Sequence, residues 1–103
     1  MVEDIIEKIH SRAVKSLCKK YNIARLALFG SALRNDFGPE SDIDLLVEFV
    51  KGKTPGMFGM ANLELELTRL LKRKVDLRTP AELSQYFRAD VMNQAQVQYE
   101  QSR

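Results

Sequence analysis

Apolar residues recur along the first part of the chain at helical spacing. Val2, Ile5, Ile6, Ile9, Ala13, Leu17 and Tyr21 fall on one side, and Glu3, Glu7, Lys8, Arg12, Lys15 and Lys19 on the other. That spacing predicts one amphipathic helix over 2–21, ended by Asn22. Arg25-Leu-Ala-Leu-Phe29 then reads as a buried strand, with Gly30-Ser31 directly after it. Ser31 to Asn35 is expected to open a short helix with Ser31 as its N-cap. A turn-rich stretch over 35–41 leads into a second strand, Asp42-Ile-Asp-Leu-Leu-Val-Glu-Phe49, and Gly52–Gly56 reads as a loop. From Phe58 to Arg73 a helix presents Met60, Leu63, Leu67, Leu70 and Leu71 on one face, with Leu65 nearly opposite. A short strand around Asp76 follows. A last helix from Ala81 to Tyr99 is expected to carry Leu83, Phe87, Val91 and Ala95 as its stripe. Strands alternating with helices imply an α/β (α+β) domain, a small mixed β-sheet flanked by helices. Residues 1–103 read as one domain, near the small end of what buries its own core.

The second strand carries the candidate chemistry. Side chains alternate faces, and positions i and i+2 lie roughly 6.6–6.8 Å apart along one face. Asp42, Asp44, Leu46 and Glu48 therefore point one way, and Ile43, Leu45, Val47 and Phe49 the other. Two like charges at the mouth of a buried strand repel unless a cation offsets them. Hard oxygen ligands with room for water and phosphate suit Mg²⁺. Asp-x-Asp alone is equally a turn or a helix cap. Gly30-Ser31, separated from Asp42 by ten residues, alters that balance. Glycine lets the backbone approach a ligand, and helix N-terminal amides attract phosphate. A strand, a phosphate-binding turn and a strand bearing two carboxylates together describe an NTP–Mg²⁺ site.

Gly30-Ser31-Ala-Leu-Arg34, followed by Ser41-Asp42-Ile-Asp44-Leu-Leu-Val, resembles the signature of the DNA polymerase beta-like nucleotidyltransferase superfamily. The length is similar to that of the minimal nucleotidyltransferases, antitoxin partners of HEPN-domain toxins. The resemblance runs from Leu26 to Leu77 and implies the polymerase-beta-like fold. It implies a third carboxylate on a later strand, for which Asp76, between Val75 and Leu77, is the candidate. By the same resemblance Asp42, Asp44 and Asp76 hold two Mg²⁺ ions, and Gly30 and Ser31 bind the nucleotide phosphates. Arg34 stands where the family often has arginine, in reach of the triphosphate or the acceptor. Asn35 and Asp36 depart from the family pattern, which has small or basic residues there.

The implied activity is transfer of a nucleoside monophosphate, AMP from ATP, to a hydroxyl. The segment after Asp76 has room for one helix, so the cleft is expected to be open on one side. The resemblance makes the missing wall a HEPN toxin and the acceptor one of its tyrosines. A non-catalytic binding antitoxin or scaffold, and a small-molecule adenylyltransferase acting as a homo-oligomer, are the rival readings.

Composition narrows the field further. A net charge of +2 does not argue for direct nucleic-acid binding. One cysteine, Cys18, suits a reducing compartment and is expected to be buried and inert. With no signal-peptide pattern and no apolar run of membrane length, a cytoplasmic location and no membrane partner are expected. Gly52-Lys53-Thr54 imitates the end of a Walker A motif, but Val47 stands where that motif needs glycine. His10 reads as a surface or boundary residue. Lys72-Arg73-Lys74 reads as basic residues complementing a helix C-terminus.

Overall fold

The computed structural model describes residues 2–34 and 37–101, so Asn35 and Asp36 lie outside the described residues. The first amphipathic segment is two helices, α1 (Val2–Ile9) and α2 (Arg12–Lys20), not one. Ser11 makes the break. Its backbone is extended (φ −68°, ψ 158°), and its hydroxyl accepts a hydrogen bond from the Val14 amide, capping α2. The break rephases the apolar stripe. Ile5 and Ile9 are buried on α1, whereas α2 buries Val14, Leu17 and Cys18 and leaves Ala13 exposed. Asn22 ends α2 as expected, in the left-handed conformation at φ 58°.

The chain continues through β1 (Ile23–Phe29), a 3-10 turn (Gly30–Leu33), β2 (Ile43–Phe49), α3 (Met57–Leu71) and β3 (Val75–Arg78). A second 3-10 turn (Pro80–Glu82), α4 (Arg88–Gln94) and β4 (Gln96–Glu100) follow. The helix expected over 81–99 is therefore the second correction. Gln96-Val-Gln-Tyr-Glu100 alternates polar and apolar residues with period two and pairs antiparallel with β1. Phe87, placed on that helix's stripe, is exposed.

The sheet order is β3-β2-β1-β4, with β2 and β3 parallel and the other pairs antiparallel. This is the expected mixed sheet with helices. Leu26 and Leu28 of β1 and Ile43, Leu45 and Val47 of β2 form one core with the buried residues of α1, α2 and α3. From α3 that core takes Leu63, Leu67 and Leu71, each contributing about 1.5–3 kcal/mol by leaving water. Leu65 is exposed as expected, but Leu70 is exposed too, because it lies at the margin of the stripe beside Ala13 and Leu17 of α2. The opposite sheet face carries the acids. Leu46 and Ala27 on that face are nonetheless buried, and the Pro80–Glu82 turn packs against β2.

Candidate active site

The acidic end of the sheet is formed where β1 finishes and where β2 and β3 begin. In the antiparallel β1–β2 ladder Phe29 pairs with Asp44, so the turn after Phe29 lies beside the Asp44 side chain. Gly30 takes φ +62°, and a Cβ there would lie 2.5 Å from Asp44 Oδ2. Both its backbone angle and the close carboxylate demand glycine. The turn aims Ser31 at the same oxygen. Its amide donates to Asp44 Oδ2 at 3.1 Å, and its hydroxyl lies 3.0 Å from that atom and 2.9 Å from the Asp42 carbonyl.

Ser31 is therefore not the cap of a short helix. The 3-10 turn starts one residue earlier, at Gly30, and spans only Gly30–Leu33, because Arg34 reverts to extended backbone (φ −94°, ψ 152°). Arg34 ends the turn, exposed, instead of standing one turn into a helix.

The parallel β2–β3 register sets Asp44 directly beside Asp76. Neighbouring strands lie roughly 4.7–4.9 Å apart. Val75 and Leu77 are buried in the core, so Asp76 faces away from it on the face that carries Asp44. Asp42 immediately precedes β2 and is exposed. The fold thus brings Gly30, Ser31, Asp42, Asp44 and Asp76 to one end of the sheet, with Asp44 and Asp76 on the same face.

Among the described residues no three His, Cys, Asp or Glu side chains are gathered so as to hold a metal ion by themselves. An open set of hard oxygen donors fits Mg²⁺, which binds through one or two carboxylates and takes water and phosphate for the rest of its shell.

Two arginines join this end of the sheet that the residue pattern did not single out. Arg78 lies two positions past Asp76 on the same face, with Nε 3.2 Å from Asp76 Oδ1 and Nη2 3.5 Å from Oδ2. The carboxylate raises the guanidinium pKa further, chiefly through these hydrogen bonds. Arg73 belongs to the basic run read as a helix terminus. Lys72 caps α3 in the left-handed conformation at φ 56°, which turns Arg73 back across the loop before β2. Arg73 Nη2 donates to the carbonyls of Gly38 (2.7 Å) and Ser41 (2.5 Å), and its guanidinium stacks 4.9 Å from the Phe37 ring centre.

The nucleotidyltransferase domain pattern matches residues 10–97 of this chain. The chain belongs to the nucleotidyltransferase domain family. Its relatives in that family include a Methanocaldococcus jannaschii chain named "putative protein adenylyltransferase", 42% identical over 76 residues, covering 74% of this chain and 71% of the relative. Protein adenylyltransferase MntA of Thermococcus cleftensis is 33% identical over 72 residues, covering 70% of this chain and 71% of its own. A solved structure of a "putative minimal nucleotidyltransferase" superimposes with a TM-score of 0.69 at 36% identity, covering 87% of this chain and 92% of that one. A chain from the complex of tri-AMPylated Shewanella oneidensis HEPN toxin with MNT antitoxin shares the fold, with a TM-score of 0.63 at 20% identity over 98% of this chain and 74% of that one. This nucleotidyltransferase is therefore an enzyme of the nucleotidyl-transferring class and resembles the minimal forms of the family.

Other expectations concern residues away from the acids. His10 is exposed and its Nε2 lies 3.0 Å from Gln98 Oε1, a surface contact. Cys18 is fully buried and free, and burial pushes its thiol up to about 11. Gly52, Lys53 and Thr54 lie exposed in the loop before α3. Among the described residues no helix is long and apolar enough to cross a membrane.

Proposed function

We propose that this nucleotidyltransferase moves AMP from ATP onto a tyrosine hydroxyl of a HEPN-domain toxin, and so acts as its antitoxin in the cytoplasm. The observation that carries the reading is the register of Asp44 beside Asp76, next to a Gly30-Ser31 turn that grips Asp44. Relatives named protein adenylyltransferases and the shared fold with a chain from an AMPylated toxin–antitoxin complex support the protein acceptor.

Asp42, Asp44 and Asp76 are the residues that would hold two Mg²⁺ ions. Bound there, the metal supplies positive charge to the triphosphate and lowers the pKa of the acceptor hydroxyl. Ser31 holds the Asp44 carboxylate in place through Oδ2, which both its amide and its hydroxyl meet. Gly30 lets the backbone come close to the phosphates, and Arg34 lies at the end of the same turn. The acceptor oxygen bonds to the α-phosphorus, the bond to the leaving pyrophosphate breaks, and the hydroxyl proton passes to solvent. No side chain of this protein forms a covalent intermediate. AMP on a toxin that acts on RNA adds bulk and negative charge where RNA phosphates bind, and like charges then repel.

The test is incubation with ATP labelled at the α- or the γ-phosphate, Mg²⁺ and a cognate HEPN protein. The expected result is label on the HEPN protein from α-labelled ATP alone, lost with Asp44→Asn. Transfer of the γ-label, or equal transfer by Asp44→Asn, would overturn the reading.

A further inference from the structure

Asp42 lies outside the β2 ladder, so strand pairing does not fix it. Its position depends on the loop that delivers it. Ser31 Oγ reaches its carbonyl from one side (2.9 Å). On the other side the chain from Phe37 to Ser41 is held by contacts that converge on the junction between α3 and β3. Arg73 Nη2 joins the carbonyls of Gly38 and Ser41, so one nitrogen spans the residue just before Asp42 and one four positions before it. Its guanidinium lies against Phe37, and the Ile43 amide, just after Asp42, donates to the Lys74 carbonyl at 2.8 Å. Within the loop the Ser41 hydroxyl accepts from the Gly38 amide at 3.0 Å. Asp42 is therefore flanked on both sides by residues tied to Arg73-Lys74.

We infer that Arg73 is a positioning residue: it sets the Phe37–Ser41 loop and thereby the Asp42 carboxylate for cation binding. A guanidinium suits the task, since it is charged at all working pH values, stacks on an aromatic face and donates from a planar fork. The inference rests on the reading of Asp42 as a cation ligand.

Two physical effects of removing Arg73 have opposite signs, and that makes the inference testable. Loss of a positive charge near an acidic site favours cation binding through Coulomb attraction alone. Loss of the tie frees Asp42 and disfavours it. A role confined to stability would lower the melting temperature and leave the affinity of the folded protein as it was.

The experiment measures Mn²⁺ binding by electron paramagnetic resonance on the full chain at low temperature, with thermal melts in parallel. Arg73→Met is expected to weaken Mn²⁺ binding about tenfold, and Arg73→Lys, which keeps a charged donor, to recover the greater part. Arg73→Gln, neutral but still an N–H donor, covers the case in which Arg73→Met does not fold, and is also expected to weaken binding. Unchanged or tighter Mn²⁺ binding by the folded neutral variants would overturn the positioning role. Asp42→Asn separates this from failure of the site itself. If Asp42→Asn binds Mn²⁺ like the parent, the reading of Asp42 fails and takes the inference with it. If Asp42→Asn loses Mn²⁺ while the neutral Arg73 variants keep it, the inference alone fails.

Discussion

Asp44 and Asp76 stand side by side in parallel register, and the one guanidinium hydrogen-bonded to Asp76 among the described residues comes from Arg78 on the same strand. Arg78 thus offsets part of the repulsion between the two acids. Both partners are partly solvent-exposed, so the pair is worth at most about 1 kcal/mol. Arg78→Gln is expected to lower the melting temperature in EDTA by a few degrees and to bind Mn²⁺ more tightly, the opposite sign to loss of Arg73. Melts in EDTA and in Mn²⁺ check both. Weaker Mn²⁺ binding by Arg78→Gln would show that Arg78 does not compete with the cation.

The proposed function gives the acids separable tasks. Asp44→Asn keeps an oxygen to accept from the Ser31 amide and hydroxyl, so the fold is expected to persist, with an equal or higher melting temperature without metal as one like charge is lost. AMP transfer should fall below a few per cent. Asp76→Ala should still bind Mg–ATP by calorimetry yet lose turnover. Calorimetric silence from Asp76→Ala would mean that Asp76 is needed for nucleotide binding itself.

Gly30→Ala combines two penalties. A left-handed alanine costs about 1–2 kcal/mol, and its methyl group would meet Asp44 Oδ2 at 2.5 Å. The carboxylate must shift, so Mn²⁺ affinity and AMP transfer should drop together even where the variant remains folded. A variant that melts lower but transfers AMP at the parent rate would show that the Asp44 position is not critical.

The two strands were the most legible part of the chain because the core-facing positions of β2 recur with period two. Ile43, Leu45 and Val47 are all fully buried, and their neighbours Asp44 and Glu48 are not. Helix boundaries were harder to read. Ala13 continues the spacing of Ile5 and Ile9, so one stripe seemed to run through, and only the Ser11 cap with buried Val14 betrays the break. Residues 96–100 carry a period-two signal, hidden by Leu83, Phe87, Val91 and Ala95 at helical spacing just before it. Arg73 could not be found by local pattern. Its partners lie more than thirty residues upstream and meet it only after the chain turns at Lys72.

Cys18 supplies a prediction about alkaline pH. Its folded pKa of about 11 lies above the ordinary thiol range, so above pH 9 the unfolded chain holds fewer protons than the native one. Stability contributed by the neutral thiol is complete below about pH 9 and is lost as pH rises toward 11. Tyr21, bonded to Glu66, and Tyr99, which is desolvated, also have raised values. A Cys18→Ala variant isolates the thiol: its melting temperature should fall less steeply from pH 8.5 to 11 than the parent's. Parallel curves would refute the assignment.

The strand order also constrains how the protein is made. β1 carries the turn that grips Asp44, and it lies between β2 and β4. During synthesis β2 reaches it early, whereas residues 96–100 leave the ribosome much later. Until they do, β1 presents a bare edge of unpaired backbone groups, an invitation to pair with another nascent chain. Arg25 spans that late seam, meeting Glu48 at 3.5 Å and Glu100 at 2.7 Å. The β1–β2 half of the sheet, with its acidic end, can therefore assemble first, and β4 then closes its exposed side.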